Sequence, residues 1–197
     1  MFNVPELSLG DIQSAVETVI GKHHPTRSLP IPIEEIVEFN LGINIVSVEN
    51  LHKKFGVDAF TSGDGKDIFV EDSLYSDLNH LRRYRFTLAH ELGHIDLHGG
   101  FYKDKTFYGP DDWSKHLAEI DAAEHQLFEA QADRFGGMLL VPRKQLEVEI
   151  DLLTSGSGLS GDPFAKSQQQ MCELANRFQV SESCMYVRIT QEKLGAP

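Results

Sequence analysis

The amino-acid sequence predicts an α+β fold that is mainly helical, with a small antiparallel sheet and a C-terminal helical piece. Apolar residues recur at helical spacing through most of the chain. Short stretches rich in β-branched residues lie between residues 43 and 70 and indicate strands. The chain has 197 residues, of which 41% are hydrophobic. This is enough for one domain with a buried core and at most a small appendage.

The N-terminal part is predicted to begin with two helices. Ser8 can cap a helix that extends to about Lys22, because the apolar residues between them follow the helical period. Residues 33–40 (IEEIVEFN) suit a second, shorter helix, and Gly42 stands where a helix stop is needed.

The strands of the predicted sheet follow these helices. Residues 43–48 (INIVSV) are rich in β-branched side chains, which favour a strand. Residues 57–61 and 67–70 flank the sequence SGDGK, whose glycines suit a hairpin turn. We therefore expect a small sheet with antiparallel pairing.

The remainder of the chain is predicted to be helical. Two apolar stripes run through residues 79–97 and predict a central, buried helix that ends at Gly99 and Gly100. A loop is predicted at 101–120. Further helices are predicted at 121–140, where Pro142 stops the helix, and at 143–153, 165–178 and 182–190.

The clearest predicted linker is TSGSGLSGDP at 154–163. It divides the chain into a main domain, 1–153, and a C-terminal helical segment, 164–197. That segment contains LANRFQVS, a pattern typical of a helix-turn-helix. From residue 167 onward, however, the segment has three basic and three acidic residues. A DNA-recognition helix needs an excess of basic groups, so the segment is expected to pack on the main domain or on a partner.

Composition argues against functions that require binding to nucleic acid, insertion in a membrane or secretion. Eighteen Lys and Arg against 30 Asp and Glu give a net charge of -12, which disfavours binding to nucleic acid or to an anionic membrane. No apolar run approaches the ~20 residues that span a bilayer, and the N-terminus lacks the features of a secretory signal. The two cysteines, Cys172 and Cys184, form no Cys-x-x-Cys pair. A cytoplasmic location is therefore expected.

The motif that indicates chemistry is HELGH at residues 90–94. Positions i and i+4 of a helix lie about 40° apart around its axis, so His90 and His94 can both reach one zinc ion at ~2.0–2.1 Å. Glu91 can take a proton from a water that the metal activates. The alternative without a metal is a pair of hydrogen-bonded core histidines.

Two residues are candidates for the third ligand that a catalytic zinc site requires. His98 would complete a His-x3-His-x3-His series, but three successive i, i+4 side chains on one straight helix cannot easily converge on one ion. Glu129 lies on a separate predicted helix and could complete a His2Glu site. Asp133, one turn later, could accept the ring N–H of a ligating histidine. The alternative for both carboxylates is a solvated acidic face.

Two segments of the sequence resemble the ImmA/IrrE family of bacterial metallopeptidases. RRYRFTLAHELGHIDLH (82–98) is similar to the family's R-x-R-F-T-x-A-H-E-L-G-H core, and FEAQADRFGGMLLVP (128–142) to its E-x-x-A-[ND]-x-F-A segment and following L-x-P. Gly136 stands where the family usually has Ala, and Val141 where Met is frequent. The resemblance in outline covers about residues 30–190.

The resemblance implies a zincin-like metallopeptidase domain of the gluzincin type and a cytoplasmic endopeptidase. It implies His90, His94 and Glu129 as ligands of Zn²⁺, with Glu91 as the general base. Mn²⁺ and Fe²⁺ also suit such a donor set. Known members act on a helix-turn-helix repressor and thereby release mobile-element or stress-response genes, so a repressor protein is the expected partner.

Some questions stay open at the level of sequence. Tyr102, Tyr108, His116 and His125 are all available near the predicted site to stabilise an oxyanion, and the sequence does not choose among them. A non-enzymatic antitoxin or regulatory partner with a structural metal site is the alternative function. A structural zinc site has four protein ligands, whereas only three are apparent here. The oligomeric state is not indicated.

Overall fold

The computed structural model describes residues 5–102, 107, 109–117, 120–155 and 163–193. Its three strands are β1 (Asn44–Val48), β2 (Ala59–Thr61) and β3 (Asp67–Glu71). The helices are α1 (Leu9–His23), α2 (Ile33–Glu35), α3 (Leu51–Phe55), α4 (Asp72–Ser76), α5 (Leu81–Tyr102), α6 (Pro110–Leu117), α7 (Ala122–Leu140), α8 (Arg143–Ser155), α9 (Pro163–Phe178) and α10 (Glu182–Glu192). The predicted α+β class, mainly helical with a small sheet, is confirmed.

Helix α1 begins where the sequence predicts. The side chain of Ser8 accepts a hydrogen bond from the backbone N–H of Asp11, and the carboxylate of Asp11 accepts one from the N–H of Ser8. This reciprocal pair satisfies two backbone donors that the helix itself leaves unpaired. The apolar face of α1 is buried and packs against α7.

The second predicted helix has two parts. Helix α2 continues into a π-helical turn at Ile36–Asn40, whose wider turn still keeps Ile36 and Val37 in the core. Gly42 follows with a φ of +68°, a left-handed conformation that glycine adopts without steric cost. The predicted helix stop at this residue is therefore confirmed.

The sheet is mixed, so the prediction of a wholly antiparallel sheet is wrong. Its strand order is β1–β3–β2. The predicted hairpin is present, because β2 and β3 pair antiparallel. Strand β1, however, pairs parallel with β3, from Asn44 opposite Asp67 to Val48 opposite Glu71. The chain passes through α3 after β1 and enters the sheet again at the far edge, which leaves β3 in the centre.

The end of α5 and the following loop also differ from the prediction. Helix α5 continues past Gly99 and Gly100 to Tyr102. Glycine lowers helix stability by about 1 kcal/mol but does not block the helical conformation. Within the predicted loop 101–120 lies α6, which starts with Pro110 and has two acidic residues in its first turn. Both features favour the start of a helix.

Helices α5 and α7 pack closely at two glycines. A Cβ atom added at Gly93 would lie 3.1 Å from Cβ of Phe135 and 3.2 Å from Cα of Ala132. A Cβ atom added at Gly136 would lie 3.1 Å from the backbone nitrogen of His90. The two helix backbones can approach this closely because neither glycine carries a side chain.

The C-terminal helices bury side chains in the same core as the rest of the chain. Leu174, Phe178 and Met185 belong to the main hydrophobic cluster. Arg188 is 2% exposed and donates through Nε and Nη2 to the carbonyl oxygen of Val141, at the end of α7. Residues 156–162 of the predicted linker lie outside the described residues, and the division into 1–153, 154–163 and 164–197 stays a prediction.

The described part of the chain contains no candidate for a membrane-spanning helix. None of its helices combines the length with the apolar character that a membrane-spanning helix requires.

The contact between α5 and α7 can be tested by adding one methyl group. We expect Gly93→Ala to lower the free energy of unfolding by about 1–3 kcal/mol, because the new Cβ overpacks against α7. Gly99→Ala on the same helix is the matched control, since within the described residues its added Cβ meets no atom within 4 Å outside its chain neighbours and the backbone of its own helix. The control should gain up to about 1 kcal/mol from helix propensity. Urea unfolding measures both, and equal stabilisation of the two variants would contradict the close contact.

Candidate metal centre

Two helices supply the side chains of the candidate site. His90 and His94 lie one turn apart on α5 and point to the same side of that helix, toward α7. Glu129 extends from α7 to the same point. The side chains of the histidines are 15% and 6% exposed, and that of Glu129 is 40% exposed. The group is therefore set into the protein but open on the side of the carboxylate.

The three side chains present their donor atoms to one small volume. The Nε2 atoms of His90 and His94 are 3.0 Å apart, and the oxygens of Glu129 lie 3.3 Å and 3.5 Å from them. In a tetrahedral site with bonds of ~2.0–2.1 Å, two ligand atoms are about 3.3–3.4 Å apart. The arrangement therefore fits one divalent cation. The structure brings all three predicted ligands together, and their role as ligands stays a prediction.

Asp133 holds the ring of His90. Its Oδ1 lies 2.9 Å from Nδ1 of His90, one turn beyond Glu129 on α7. A proton on Nδ1 leaves Nε2 with the lone pair that a metal requires. Burial lowers the pKa of His90, but the hydrogen bonds with Asp133 and Glu129, together with the negative charges of Glu91 and Glu129, raise it to about 10. Without a metal, a proton on His90 can thus occupy the space between the two histidines.

His98 does not point at the three donor atoms. Its Nδ1 lies 3.3 Å from Nδ1 of His94, and its Nε2 lies 2.8 Å from Oε1 of Gln131. Both ring nitrogens thus have partners on the side of His94 that faces away from Glu129. The rings of His94 and His98 both stack on Phe128, with centroid distances of 4.3 Å and 4.1 Å. Burial lowers the pKa of both histidines.

Glu91 is buried next to the site, on the wall of the same cleft. It is 5% exposed, and its Oε2 accepts a hydrogen bond of 2.8 Å from the hydroxyl of Thr61, at the end of β2. Burial raises the pKa of Glu91 to about 7, against the opposing effects of His90 and Thr61. A carboxylate with a pKa near neutrality is suited to accept and return a proton.

The cleft in front of these residues has a volume of about 370 Å³. One wall is the edge strand β2, where Phe60 stacks against Phe69 of β3 and against Trp113 of α6. His116 and His125, two of the four predicted oxyanion candidates, also line the cleft. Nε2 of His125 lies 3.6 Å from Oε1 of Glu129.

The other two oxyanion candidates cannot be placed. Tyr108 lies outside the described residues, as does the side chain of Tyr102.

Sequence reasoning missed two polar residues that support the site. Thr61 ends the predicted strand that precedes SGDGK, and Gln131 lies between Glu129 and Asp133. Gln131 is fully buried, and its Nε2 donates to the carbonyl oxygen of Pro5. A polar residue inside the apolar part of FEAQADRF is the one signal that could have identified Gln131. Nothing in the sequence singles out Thr61, because its partner is 30 residues away.

Comparison with known proteins gives a family assignment. No curated protein matches the chain significantly. The family model of the IrrE N-terminal-like domain, from the M78 peptidases, matches residues 46–190. The match begins in β1, includes both ligand-bearing helices and ends in α10. It extends over most of the chain, and it therefore confirms the resemblance that the HELGH and FEAQADRF segments indicate: the chain belongs to the IrrE N-terminal-like family of M78 metallopeptidases.

Proposed function

We propose that this protein is a zinc-dependent endopeptidase that cleaves a cytoplasmic protein substrate. The observation that carries the proposal is the convergence of three donor atoms, from His90, His94 and Glu129, beside a buried carboxylate on the wall of one cleft. Two imidazoles and one carboxylate form a donor set typical of catalytic zinc. The same donors also accept Mn²⁺ or Fe²⁺, so zinc is proposed on the basis of ligand preference.

An open coordination position supports a catalytic role over a structural one. Structural zinc sites are closed by four protein ligands. Within the described residues, only one group of potential metal ligands occurs, and it has three members. When bound there, a divalent cation would polarise the scissile carbonyl and lower the pKa of water at the site. The cleft next to the donors leaves space for substrate.

Glu91 is the residue proposed to move protons. Thr61 holds Oε2, and Oε1 has no hydrogen-bond partner among the described residues. In peptide hydrolysis the water oxygen attacks the carbonyl carbon and the C–N bond breaks, so one water proton must reach the leaving nitrogen. Glu91 can take this proton at Oε1 and deliver it to the leaving amine. An N–H of His116 or His125 is proposed to stabilise the oxyanion.

The substrate is proposed to bind as an extended segment along β2. This strand forms the edge of the sheet and lines the cleft. An extended peptide can add to such an edge through main-chain hydrogen bonds. The aromatic rings of Phe60 and Trp113 supply an apolar surface beside it. A flexible or locally unfolded part of the substrate meets this requirement better than a folded one.

A helix-turn-helix repressor is the proposed partner, and its cleavage would release mobile-element or stress-response genes. The likeness to known members of the family supports this choice, together with the net charge of -12. DNA-binding repressors carry a basic surface, to which an acidic protein is attracted over a distance of about one Debye length. Direct binding of nucleic acid by this chain is not expected, because its net charge is -12.

The metal assignment can be tested by metal analysis. We expect the purified protein to hold about one divalent ion per chain, and Glu129→Ala to lose it on dialysis because one of three donors is removed. Glu124→Ala on the same helix is the control, since Glu124 lies outside the donor group. His98→Ala should still reach one ion per chain at saturating metal. If His98→Ala removes the metal while Glu129→Ala retains it, the ligand assignment is wrong.

The role of Glu91 can be tested by an amide replacement. Glu91→Gln keeps the size of the side chain and an oxygen that can accept the hydrogen bond from Thr61, but it cannot take a proton. We expect a folded, metal-loaded variant whose cleavage rate is lower by about 10²–10⁴-fold. Circular dichroism and metal content are measured on the same sample. Normal cleavage by the metal-loaded variant would remove Glu91 from the mechanism.

The substrate proposal can be tested with a helix-turn-helix protein encoded beside this chain. Intact mass after incubation with the metal-loaded enzyme reports cleavage and the bond that is cut. We expect cleavage to be slower at high salt, because salt screens the attraction between opposite charges. Operator DNA should also slow it by covering the basic surface. Rates that respond to neither salt nor DNA would refute recognition through the DNA-binding face.

A further inference from the structure

We propose that His98 is a positioning residue, which holds the ring proton of His94 on Nδ1 and thereby keeps Nε2 of His94 available to a metal ion. It acts through a hydrogen-bond network, here called the His98 network, formed by the Pro5 carbonyl, Gln131, His98 and His94. The inference rests on the proposed function only in that His94 is taken as a metal ligand.

The carbonyl group of Pro5 determines which atoms donate and which accept along the His98 network. The carbonyl oxygen of Pro5 can only accept a hydrogen bond, and it lies 2.8 Å from Nε2 of Gln131. The amide nitrogen of Gln131 must therefore face Pro5, and its oxygen must face His98. Gln131 is fully buried, so a reversed amide would place its oxygen against the carbonyl oxygen of Pro5, two acceptors with no hydrogen between them.

The next two steps follow from the chemistry of imidazole. Nε2 of His98 lies 2.8 Å from the oxygen of Gln131 and must donate to it. His98 is 2% exposed, and a charged ring at such a site is costly, so the neutral ring leaves Nδ1 as an acceptor. Nδ1 of His94 lies 3.3 Å away and can satisfy it only as a donor. The lone pair of His94 is then on Nε2, which faces Glu129.

The two rings also share a packing partner, Phe128, whose ring contributes no hydrogen-bonding group to the network. Phe128 stacks on His94 and on His98, with interplanar angles of 25° and 23°. A ring flip of either histidine about χ2 would exchange Nδ1 for carbon and break the contact between them. The two proposed imidazole ligands are thus oriented differently: His90 by the exposed carboxylate of Asp133, and His94 by a buried, uncharged network.

The test uses replacements of His98 that separate its packing from its hydrogen bonds. His98→Phe keeps an aromatic ring against Phe128 but has no acceptor for His94. His98→Asn places an amide oxygen near the position of Nδ1 and should restore part of the effect. Phe128→Leu is the matched packing control, because it removes the stacked ring but no group of the His98 network.

Two measurements are made on the full-length protein. Competition with a chromophoric chelator gives the zinc affinity, and we expect His98→Phe to weaken it by about 10–100-fold. Nitrogen-15 NMR of the imidazoles gives the position of the His94 proton, with and without zinc. In the wild type, and in Phe128→Leu, this proton should be on Nδ1. In His98→Phe the Nδ1–H signal should weaken or disappear, and in His98→Asn it should return.

Each outcome decides the proposal. A folded His98→Phe protein with unchanged zinc affinity and an intact Nδ1–H signal would overturn it. If His98→Phe does not fold, the wild-type spectrum decides, because a proton on Nε2 of His94 in the zinc-free protein contradicts the network directly. A wild type that binds no zinc would refute the proposed function, and the zinc-free spectrum would still report whether His98 orients His94.

Discussion

The close contact between α5 and α7 is the constraint on which the candidate site depends. Gly93 and Gly136 allow the two backbones to approach to the distance at which added Cβ atoms would be crowded. Both imidazoles come from one of these helices, and the carboxylate comes from the other. The separation of the helices therefore determines the distances among the three donor atoms, and a wider spacing would move Glu129 away from both histidines at once.

Several polar side chains beside this contact have hydrogen-bond partners from other parts of the fold. Thr61 pairs with Glu91, Asp133 with His90, and Gln131 with His98. An unpaired buried polar group costs about 1–3 kcal/mol, so each of these partners has a structural reason to be present as well as a chemical one. The partners come from the sheet, from α7 and, through Pro5, from the segment before α1.

The parts of the site that the sequence could predict are those that depend on local spacing. His90 and His94 are four residues apart, and the helical repeat alone brings them together. Glu129 and Asp133 are predicted by their own four-residue spacing and by the likeness to a known family. Thr61 could not be found in this way, because its contact with Glu91 depends on how the sheet is placed against α5.

The predictable features of the fold are likewise those that depend on residues close together in the sequence. The Ser8 cap, the stop at Gly42 and the hairpin between β2 and β3 are encoded within a few residues, and each prediction of them is confirmed. The parallel pairing of β1 with β3 involves residues that are 23 positions apart, and local patterns carry no information about it. The continuation of α5 through Gly99 reflects the weakness of a single propensity against the rest of a long helix.

The packing of α1 has a consequence for what counts as the folding unit. The region shared with the family begins at residue 46, yet Ile12, Val16 and Ile20 of α1 belong to the same core as the ligand-bearing helices. The segment before α1 also supplies the acceptor for Gln131. A version of the protein cut back to the shared region would expose the face of α7 that α1 covers. The region that the family model matches is therefore shorter than the region that shares one hydrophobic core.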